Sequence, residues 1–328
     1  MKAMVYTKIG GLDALQVRDI PRPEPKAGQV LVRARASSLN TLDYQRFKTL
    51  DGHVSPFARL VSVVQGSVGK PLGGEVAGEV VSLGRGVTSL AVGDRVFGKL
   101  PGTVPCGGWA EYAVLGEEKA ARMPEGLSFE QAGVMPVSGE TALGAVRRAK
   151  IAAGQQVMVY GASGGVGSFA AQFAAAAGAE VTGVCSTRNV EVAQRFGCTH
   201  VIDYKREDFR QTARRFDAII AANGDNRVAD YTRLLTPTGV FVGVGGGTAQ
   251  TFGAMLAAPL NRHISFYAAP LMPVPDAFTF MAGLAGKGEL TAYIDKTYPV
   301  TQAGEAIRYA VTEHLQGKVA LTIDFDQA

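Results

Sequence analysis

The stretch from Val157 to Gly167 reads Val-Met-Val-Tyr-Gly-Ala-Ser-Gly-Gly-Val-Gly, an apolar strand that runs directly into a glycine-rich turn. The pattern predicts an alanine-rich helix from about Gly165 to Ala177, followed by a second apolar strand over residues 181–185. This order is typical of the first βαβ unit of a dinucleotide-binding sheet. Glycines let the backbone approach a pyrophosphate, and the N–H groups at the helix N-terminus favour its negative charge. We therefore expect a nucleotide site here, and a merely structural turn is the alternative.

The turn has the spacing Ala162-x-Gly164-x-x-Gly167, with alanine in place of the first glycine. A glycine pattern alone is weak, and the surrounding strand, helix and strand make this one specific. The residues expected to contact the pyrophosphate are Ser163, Gly164, Gly165, Val166 and Gly167.

The tip of the second strand, Val184-Cys-Ser-Thr-Arg188, indicates which nucleotide would bind. A site for NAD usually has Asp or Glu about 20 residues after the glycine turn, accepting from the ribose hydroxyls. No acid stands at this tip, whereas Ser186 and Arg188 offer a hydroxyl and a guanidinium, which suit a 2′-phosphate. We expect NADPH as the cofactor. The alternative is that Arg188 opens the next helix and faces water.

Composition excludes several classes of protein. The chain has 328 residues, 47% of them hydrophobic and 19% charged, which is typical of a globular enzyme of about two domains. It has no apolar run long enough for a membrane span and no signal-like start, so we expect a cytoplasmic protein. The net charge of +4 comes from scattered basic residues and does not indicate nucleic-acid binding.

The pattern changes along the chain. Up to about residue 125, short alternating apolar runs punctuated by Gly and Pro predict a β-rich unit. From about residue 129, helices and strands alternate, which predicts a parallel, doubly wound sheet with helices on both faces. The last apolar run, residues 319–323, has no obvious place in that sheet. We expect it to return to the N-terminal β unit.

Motifs along the whole chain resemble the medium-chain dehydrogenase/reductase superfamily, and within it the zinc-independent quinone oxidoreductase branch. The segments that carry the resemblance are Leu39-Asn-Thr-Leu-Asp43, Pro71-Leu-Gly-Gly-Glu-Val-Ala-Gly78, Gly93-Asp-Arg-Val-Phe97, Gly107-Gly-Trp-Ala-Glu-Tyr112, Gly161–Gly167, Val201-Ile-Asp-Tyr204 and Gly317-Lys-Val319. The resemblance implies an α/β fold with a GroES-like β-rich catalytic domain over residues 1–126 and 269–328. A Rossmann domain with a doubly wound parallel sheet, over residues 127–268, would bind NADP(H). The active site would lie in the cleft between them, and a homodimer would form through the strand around Ile264–Ala268.

Zinc alcohol dehydrogenases share this fold, so the expected absence of a metal rests on particular residues. A catalytic zinc needs three protein ligands, usually Cys, His and a further Cys or carboxylate. Where the zinc relatives have a Cys and a His, this chain has Asn40 and Gly74. Three cysteines, Cys106, Cys185 and Cys198, form no metal-binding spacing. We expect no metal site, and we interpret Glu75 as a buried structural carboxylate.

The resemblance also implies roles for individual residues in catalysis. Those expected at the reacting end are Asn40, Asp43, Tyr44 and Thr141. Asn40 would donate to a carbonyl or a ribose hydroxyl, unless the Asn-x-x-Asp pattern only caps the helix from Thr41. Tyr44 is either an acid and oxyanion donor or a packing residue. Thr141 either faces the nicotinamide or is a hydroxyl that starts a helix.

Further residues are expected at the cofactor. These are Tyr204, Asn223, Gly243, Val244, Gly245 and Lys318, where Lys318 has a helix C-cap as its alternative. Asn189 stands where the family often has a lysine. The segment 47–70 is expected to form a wall of the substrate pocket, with an amphipathic surface helix as the alternative.

Without a Lewis acid, oxidation of a simple alcohol is disfavoured, since nothing would hold the alkoxide. A quinone or an α,β-unsaturated carbonyl accepts a hydride directly at carbon, so the protein must supply only orientation, a dry site and a donor. The expected function is hydride transfer from NADPH to such an acceptor. The alternatives are a zinc-free alcohol or ketone dehydrogenase, and a nucleotide-binding structural or RNA-associated protein with little turnover.

Overall fold

The structure is a computed structural model that describes residues 1–8, 10–44, 68–101, 107–268, 272–313 and 315–326. The chain divides into two compact units. The first comprises Met1–Val137, Phe278–Gly286 and Ile294–Ala328, and the second comprises Ser138–Ala277 and Lys287–Tyr293. None of the helices within the described ranges combines the length and apolar composition needed to cross a lipid bilayer.

The elements are labelled here in chain order. The strands are β1 (Lys2–Tyr6), β2 (Leu15–Asp19), β3 (Gln29–Leu39), β4 (Lys70–Pro71), β5 (Glu75–Leu83), β6 (Arg95–Lys99), β7 (Tyr112–Gly116), β8 (Ala120–Arg122), β9 (Gln156–Tyr160), β10 (Glu180–Cys185), β11 (Cys198–Asp203), β12 (Phe216–Ala221), β13 (Leu235–Gly243), β14 (Ile264–Phe266), β15 (Ile294–Pro299) and β16 (Lys318–Thr322). The α-helices are α1 (Thr41–Tyr44), α2 (Phe129–Gly133), α3 (Pro136–Ala149), α4 (Gly165–Ala176), α5 (Val190–Arg195), α6 (Val228–Thr232), α7 (Thr248–Ala257), α8 (Ala277–Gly286) and α9 (Ala303–Thr312).

The second unit is built on one six-stranded sheet in the order β11-β10-β9-β12-β13-β14. Every pairing in it is parallel. Parallel strands covered on both faces become uniformly apolar, and Val157, Met158 and Val159 of the central β9 are fully buried. Counted along the unit, the strand order is 3-2-1-4-5-6, that of a doubly wound dinucleotide-binding fold. The predicted parallel-sheet domain is confirmed.

The first unit is β-rich, as the sequence pattern predicts. Its larger sheet has the order β15-β16-β3-β5-β6-β8, with β7 also paired to β3, and a smaller sheet has the order β2-β1-β4. The last strand, β16, runs antiparallel to β3, with Val319 opposite Leu39. The predicted return of the chain's final strand to the N-terminal unit is therefore confirmed, and it brings Lys318 beside the end of β3.

Candidate cofactor-binding and active site

The glycine turn lies between β9 and α4, at the carboxyl edge of the second unit's sheet. Gly161 has a φ of +82°, a conformation that glycine adopts without strain. The amides of Gly161 and Ala162 both donate to the carbonyl of Val184, at 2.9 and 3.2 Å. These bonds fix the turn against the end of β10. The strand order reverses between β9 and β12, and ligands bind at such points in open α/β sheets.

The turn's geometry fits a pyrophosphate. A Cβ atom on Gly167 would lie 2.0 Å from the carbonyl oxygen of Gly161, so this contact excludes any side chain. At Gly164 the nearest atom to such a Cβ is 3.5 Å away, and no side chain caps the first turn of α4. The helix thus presents uncapped N–H groups and the positive end of its dipole beside open space, which suits an anion.

Ser163 and Asn189 connect the turn to the loop after β10. The Asn189 side-chain nitrogen donates to Ser163 Oγ at 2.8 Å, and both residues are buried. Asn189 therefore joins two loops and is not a surface residue. The sequence identifies this position only as a missing lysine, because the bond joins residues far apart in the chain.

An acid does stand at the cofactor edge, one strand further on than the sequence analysis looked. Asp203 ends β11 opposite Cys185, the last residue of β10. Its carboxylate accepts from the hydroxyl and the backbone of Thr187, and the hydroxyl is the main cause holding the pKa of Asp203 below its usual value. The amide of Lys205 also donates to it, at 2.9 Å. Asp203 thereby joins the loop after β10 to the loop after β11 through hydrogen bonds.

The residues expected at the adenosine end lie on those two loops. Ser186 is half-buried, and Arg188 and Tyr204 are exposed. The Tyr204 amide donates to the carbonyl of Cys185 at 3.0 Å, so the loops start side by side. The loop after β11 lines a cavity of about 420 Å³, and the lining includes Tyr160, Tyr204, Lys205, Arg206 and Asn226.

Gln250, at 0% exposure, ties together the ends of β12 and β13. Its side-chain nitrogen donates to the carbonyls of Asn223 (3.1 Å) and Gly245 (2.5 Å). Its oxygen accepts from the hydroxyl of Tyr231 at 2.6 Å. Burial raises the pKa of Tyr231, so this hydroxyl remains a donor. The expected cofactor residues Asn223 and 243–245 are brought together in this way, by a glutamine for which the sequence shows no signal.

The first unit holds a buried polar cluster of Lys318, Glu75, Asn40 and Ser38. The Lys318 ammonium lies 2.6 Å from Asn40 Oδ1 and 3.3 Å from Glu75 Oε1. Asn40 Nδ2 donates to Glu75 Oε1 at 2.7 Å and to Ser38 Oγ at 3.3 Å, and Ser38 Oγ also donates to Glu75. The side chains of Lys318 and Glu75 are 4% and 0% exposed. The polar atoms of the Asn40 side chain are thus all engaged inside the protein.

The contacts of Asn40 and Asp43 separate the two interpretations of the Asn-x-x-Asp pattern. Helix α1 starts at Thr41, and Asp43 accepts from the backbone N–H of Asn40 at 2.9 Å. Asp43 therefore supplies the cap, while the Asn40 side chain points into the polar cluster. Lys318 is the first residue of β16 and donates to β3 and the cluster, an arrangement unlike a helix C-cap.

This donor set does not fit a zinc ion. An ammonium group lies against the oxygens of Asn40 and Glu75, and the other Glu75 oxygen accepts from the amide of Val137 at 2.6 Å. A cation at this position would therefore have to displace Lys318. Within the described part of the chain, no three His, Cys, Asp or Glu side chains come together as a metal site.

The other residues expected at the reacting end are Thr141 and Tyr44. Thr141 is half-buried within α3, which starts at Pro136, so it does not begin that helix. The side chain of Tyr44 lies outside the described residues, as do Cys106 and the segment 45–67, which contains most of the predicted pocket wall.

The chain can be compared with known proteins. Residues 26–125 match the model of the alcohol dehydrogenase GroES-like domain, and residues 196–321 match that of the zinc-binding dehydrogenases. A chloroplast envelope quinone oxidoreductase homolog of Arabidopsis thaliana is 29% identical, with 97% of each chain covered. The NADPH-dependent alkenal/one oxidoreductase of A. thaliana chloroplasts is 29% identical over 98% of this chain and 79% of the relative.

A solved structure agrees with this grouping. The quinone oxidoreductase from Coxiella burnetii superimposes with a TM-score of 0.83 at 27% identity, covering 99% of both chains. The likeness therefore extends over both units of the chain. From these likenesses we conclude that the chain belongs to the medium-chain dehydrogenase/reductase superfamily, in its quinone oxidoreductase-like branch.

Proposed function

We propose that this protein is a zinc-independent reductase that uses NADPH to reduce a quinone or an α,β-unsaturated carbonyl. The observation that carries the proposal is the Lys318 ammonium bound to Asn40 and Glu75, where a metal ligand set would otherwise be expected. Two relatives, a quinone oxidoreductase homolog and an NADPH-dependent alkenal/one oxidoreductase, support the class of acceptor.

The chemistry follows from what the described residues can do. A bound nicotinamide would supply the hydride. The first turn of α4 would hold the pyrophosphate, since its amides are not capped by a side chain. Ser186 and Arg188 would bind the 2′-phosphate through a hydroxyl and a charge-assisted contact, worth about 1.5–3 kcal/mol and therefore about tenfold to hundredfold in affinity.

Within the first unit, the buried polar cluster has a fixed charge distribution. The Lys318 ammonium and the Glu75 carboxylate neutralise each other, and Asn40 is locked between them. An acceptor that takes hydride at carbon needs no metal to hold an alkoxide, so a cluster without a metal is compatible with this reaction. The proton would come from solvent or from a side-chain hydroxyl, for which Tyr44 and Thr141 are the candidates.

The test follows the loss of reduced-nicotinamide absorbance with a small quinone, a linear enone and a simple ketone as acceptors. NADPH and NADH are compared, each with and without a metal chelator. We expect turnover of the quinone or enone that is faster with NADPH and unchanged by the chelator. If the protein turns over only the ketone and the chelator abolishes this activity, the proposal that the enzyme works without zinc is wrong. Binding of NADPH without turnover of any acceptor would instead favour a non-catalytic role.

A further inference from the structure

The cavity lined by the loop after β11 is rich in cations. Its lining includes Lys205, Arg206 and Arg210, together with the aromatic side chains of Tyr160 and Tyr204. Acids also line it, so what matters is which of the cations are already paired.

Two of the three cations are bound to carboxylates. Arg210 Nε lies 2.8 Å from Asp208 Oδ1 and 2.9 Å from its other oxygen, and Arg206 Nε lies 3.5 Å from Asp203. Lys205 differs: among the described residues no carboxylate lies within ion-pair distance of its ammonium, which sits 5.7 Å from the centre of the Tyr204 ring. Lys205 is thus the cation of this cavity whose charge is available to a ligand.

The position of Lys205 is fixed relative to the loop that carries Ser186 and Arg188. Its own amide donates to Asp203, and the same carboxylate accepts from Thr187 on the neighbouring loop. Because Asp203 is engaged by these donors and by Arg206, its charge is largely compensated and would repel a nearby anion less. Asn189, the other polar side chain of that loop, is buried and donates to Ser163. Its side-chain nitrogen is therefore already engaged inside the protein.

We propose that Lys205 is a specificity-determining residue that binds the 2′-phosphate of the cofactor, and that Asp203 is the positioning residue that joins its loop to the loop carrying Ser186. The inference deepens the proposed function and rests on it. A lysine ammonium is a compact point charge with three donors, which suits a terminal phosphate dianion. Neither residue was assigned to phosphate recognition by the sequence pattern, because the contact joins the ends of two separate strands.

The test measures binding, not turnover, by isothermal titration calorimetry with 2′,5′-ADP and with 5′-AMP. These probes differ only in the 2′-phosphate. The proteins compared are the wild type, Lys205→Gln, Lys205→Arg, Asp203→Asn and the control Lys287→Gln, which removes an exposed charge elsewhere on the same unit. Circular dichroism and thermal melting check that each variant is folded.

We expect Lys205→Gln to weaken 2′,5′-ADP binding by about tenfold or more and to leave 5′-AMP binding within about twofold of wild type. Lys205→Arg keeps the charge and should stay within about threefold for both probes. Asp203→Asn should weaken the binding of 2′,5′-ADP more than that of 5′-AMP, because the hydrogen bonds between Asp203 and Thr187 become weaker. Lys287→Gln should leave the binding of both probes unchanged.

Two results overturn the inference, and they are distinguishable. If the wild type prefers 2′,5′-ADP but Lys205→Gln retains that preference, Lys205 is not the phosphate ligand, and the proposed NADPH-dependent function stands. If the wild type binds 5′-AMP as tightly as 2′,5′-ADP, there is no 2′-phosphate site, and the choice of NADPH fails with it.

Discussion

Lys318 and Glu75 form an ion pair with side chains that are 4% and 0% exposed. Removing one partner of such a pair leaves an uncompensated charge in the protein interior, which typically costs about 3–5 kcal/mol. We therefore expect Lys318→Met to lower the free energy of unfolding by about that amount, measured by urea denaturation. The surface pair of Lys8 and Asp13, 61% and 65% exposed, provides the comparison. Lys8→Met should produce no measurable change, since solvent screens such pairs.

A double-mutant cycle separates loss of the ion pair from loss of packing. Glu75→Gln combined with Lys318→Met removes both charges, so this variant should be more stable than Lys318→Met alone. If the double variant is instead less stable by the sum of the two single effects, the two side chains do not interact, and the cluster is held by packing. The same variants, tested with a chelator and added zinc, show whether loss of the ammonium opens the position to a metal.

At the scale of elements, the carboxyl ends of β12 and β13 depend on one glutamine. Gln250 is completely buried, and its side chain joins the carbonyls of Asn223 and Gly245 to the hydroxyl of Tyr231. Gln250→Leu keeps much of the volume but leaves the two carbonyls without this donor and the Tyr231 hydroxyl without its acceptor, although Asn226 still donates to that hydroxyl. We expect a loss of about 1–3 kcal/mol in urea denaturation, because a buried polar group without its hydrogen bond retains its full desolvation penalty.

The matched control also removes the hydroxyl that donates to the Gln250 side-chain oxygen. Tyr231→Phe deletes the hydroxyl, so adding it to Gln250→Leu should cost less than it does in the wild type. Additive losses would show that the hydrogen bond between Tyr231 and Gln250 contributes nothing to stability. Binding of 5′-AMP should weaken in Gln250→Leu too, since Asn223 and 243–245 would no longer be held together.

The elements that could be predicted from the sequence are those whose signal is local. The strand β9, the glycine turn and α4 form one continuous stretch, and the alternation after it predicts the parallel sheet. The roles of Asp203 and Gln250 in joining these loops and strand ends could not be predicted from the sequence. Each acts through a bond between strand ends that are distant in sequence, and the register of those strands depends on packing in three dimensions. The contacts of the Lys318 cluster could not be predicted for the same reason, since β16 lies beside β3 only in the folded chain.

At the scale of the whole molecule, one part of the second unit exposes large apolar side chains. Phe252, Met255 and Leu256 of α7 are 59%, 47% and 73% exposed, and Leu260 just beyond the helix is 89% exposed. The helix packs beside β14, which among the described strands lies at one edge of the six-stranded sheet. An exposed apolar group next to an unpaired strand edge is typical of a surface that associates with another chain.

We expect this surface to join two copies of the chain. A symmetric contact would pair the β14 edges and bury the same four side chains from each copy. Light scattering at micromolar concentration should then give the mass of a dimer for the wild type. The double variant Leu256→Lys/Leu260→Lys should give the mass of a monomer, because it places charges in an apolar contact. The control Val92→Lys changes an apolar residue of the first unit that is 62% exposed, and it should remain dimeric. A wild type that is monomeric throughout this range would contradict the dimer, and the exposed side chains of α7 would then belong to some other contact.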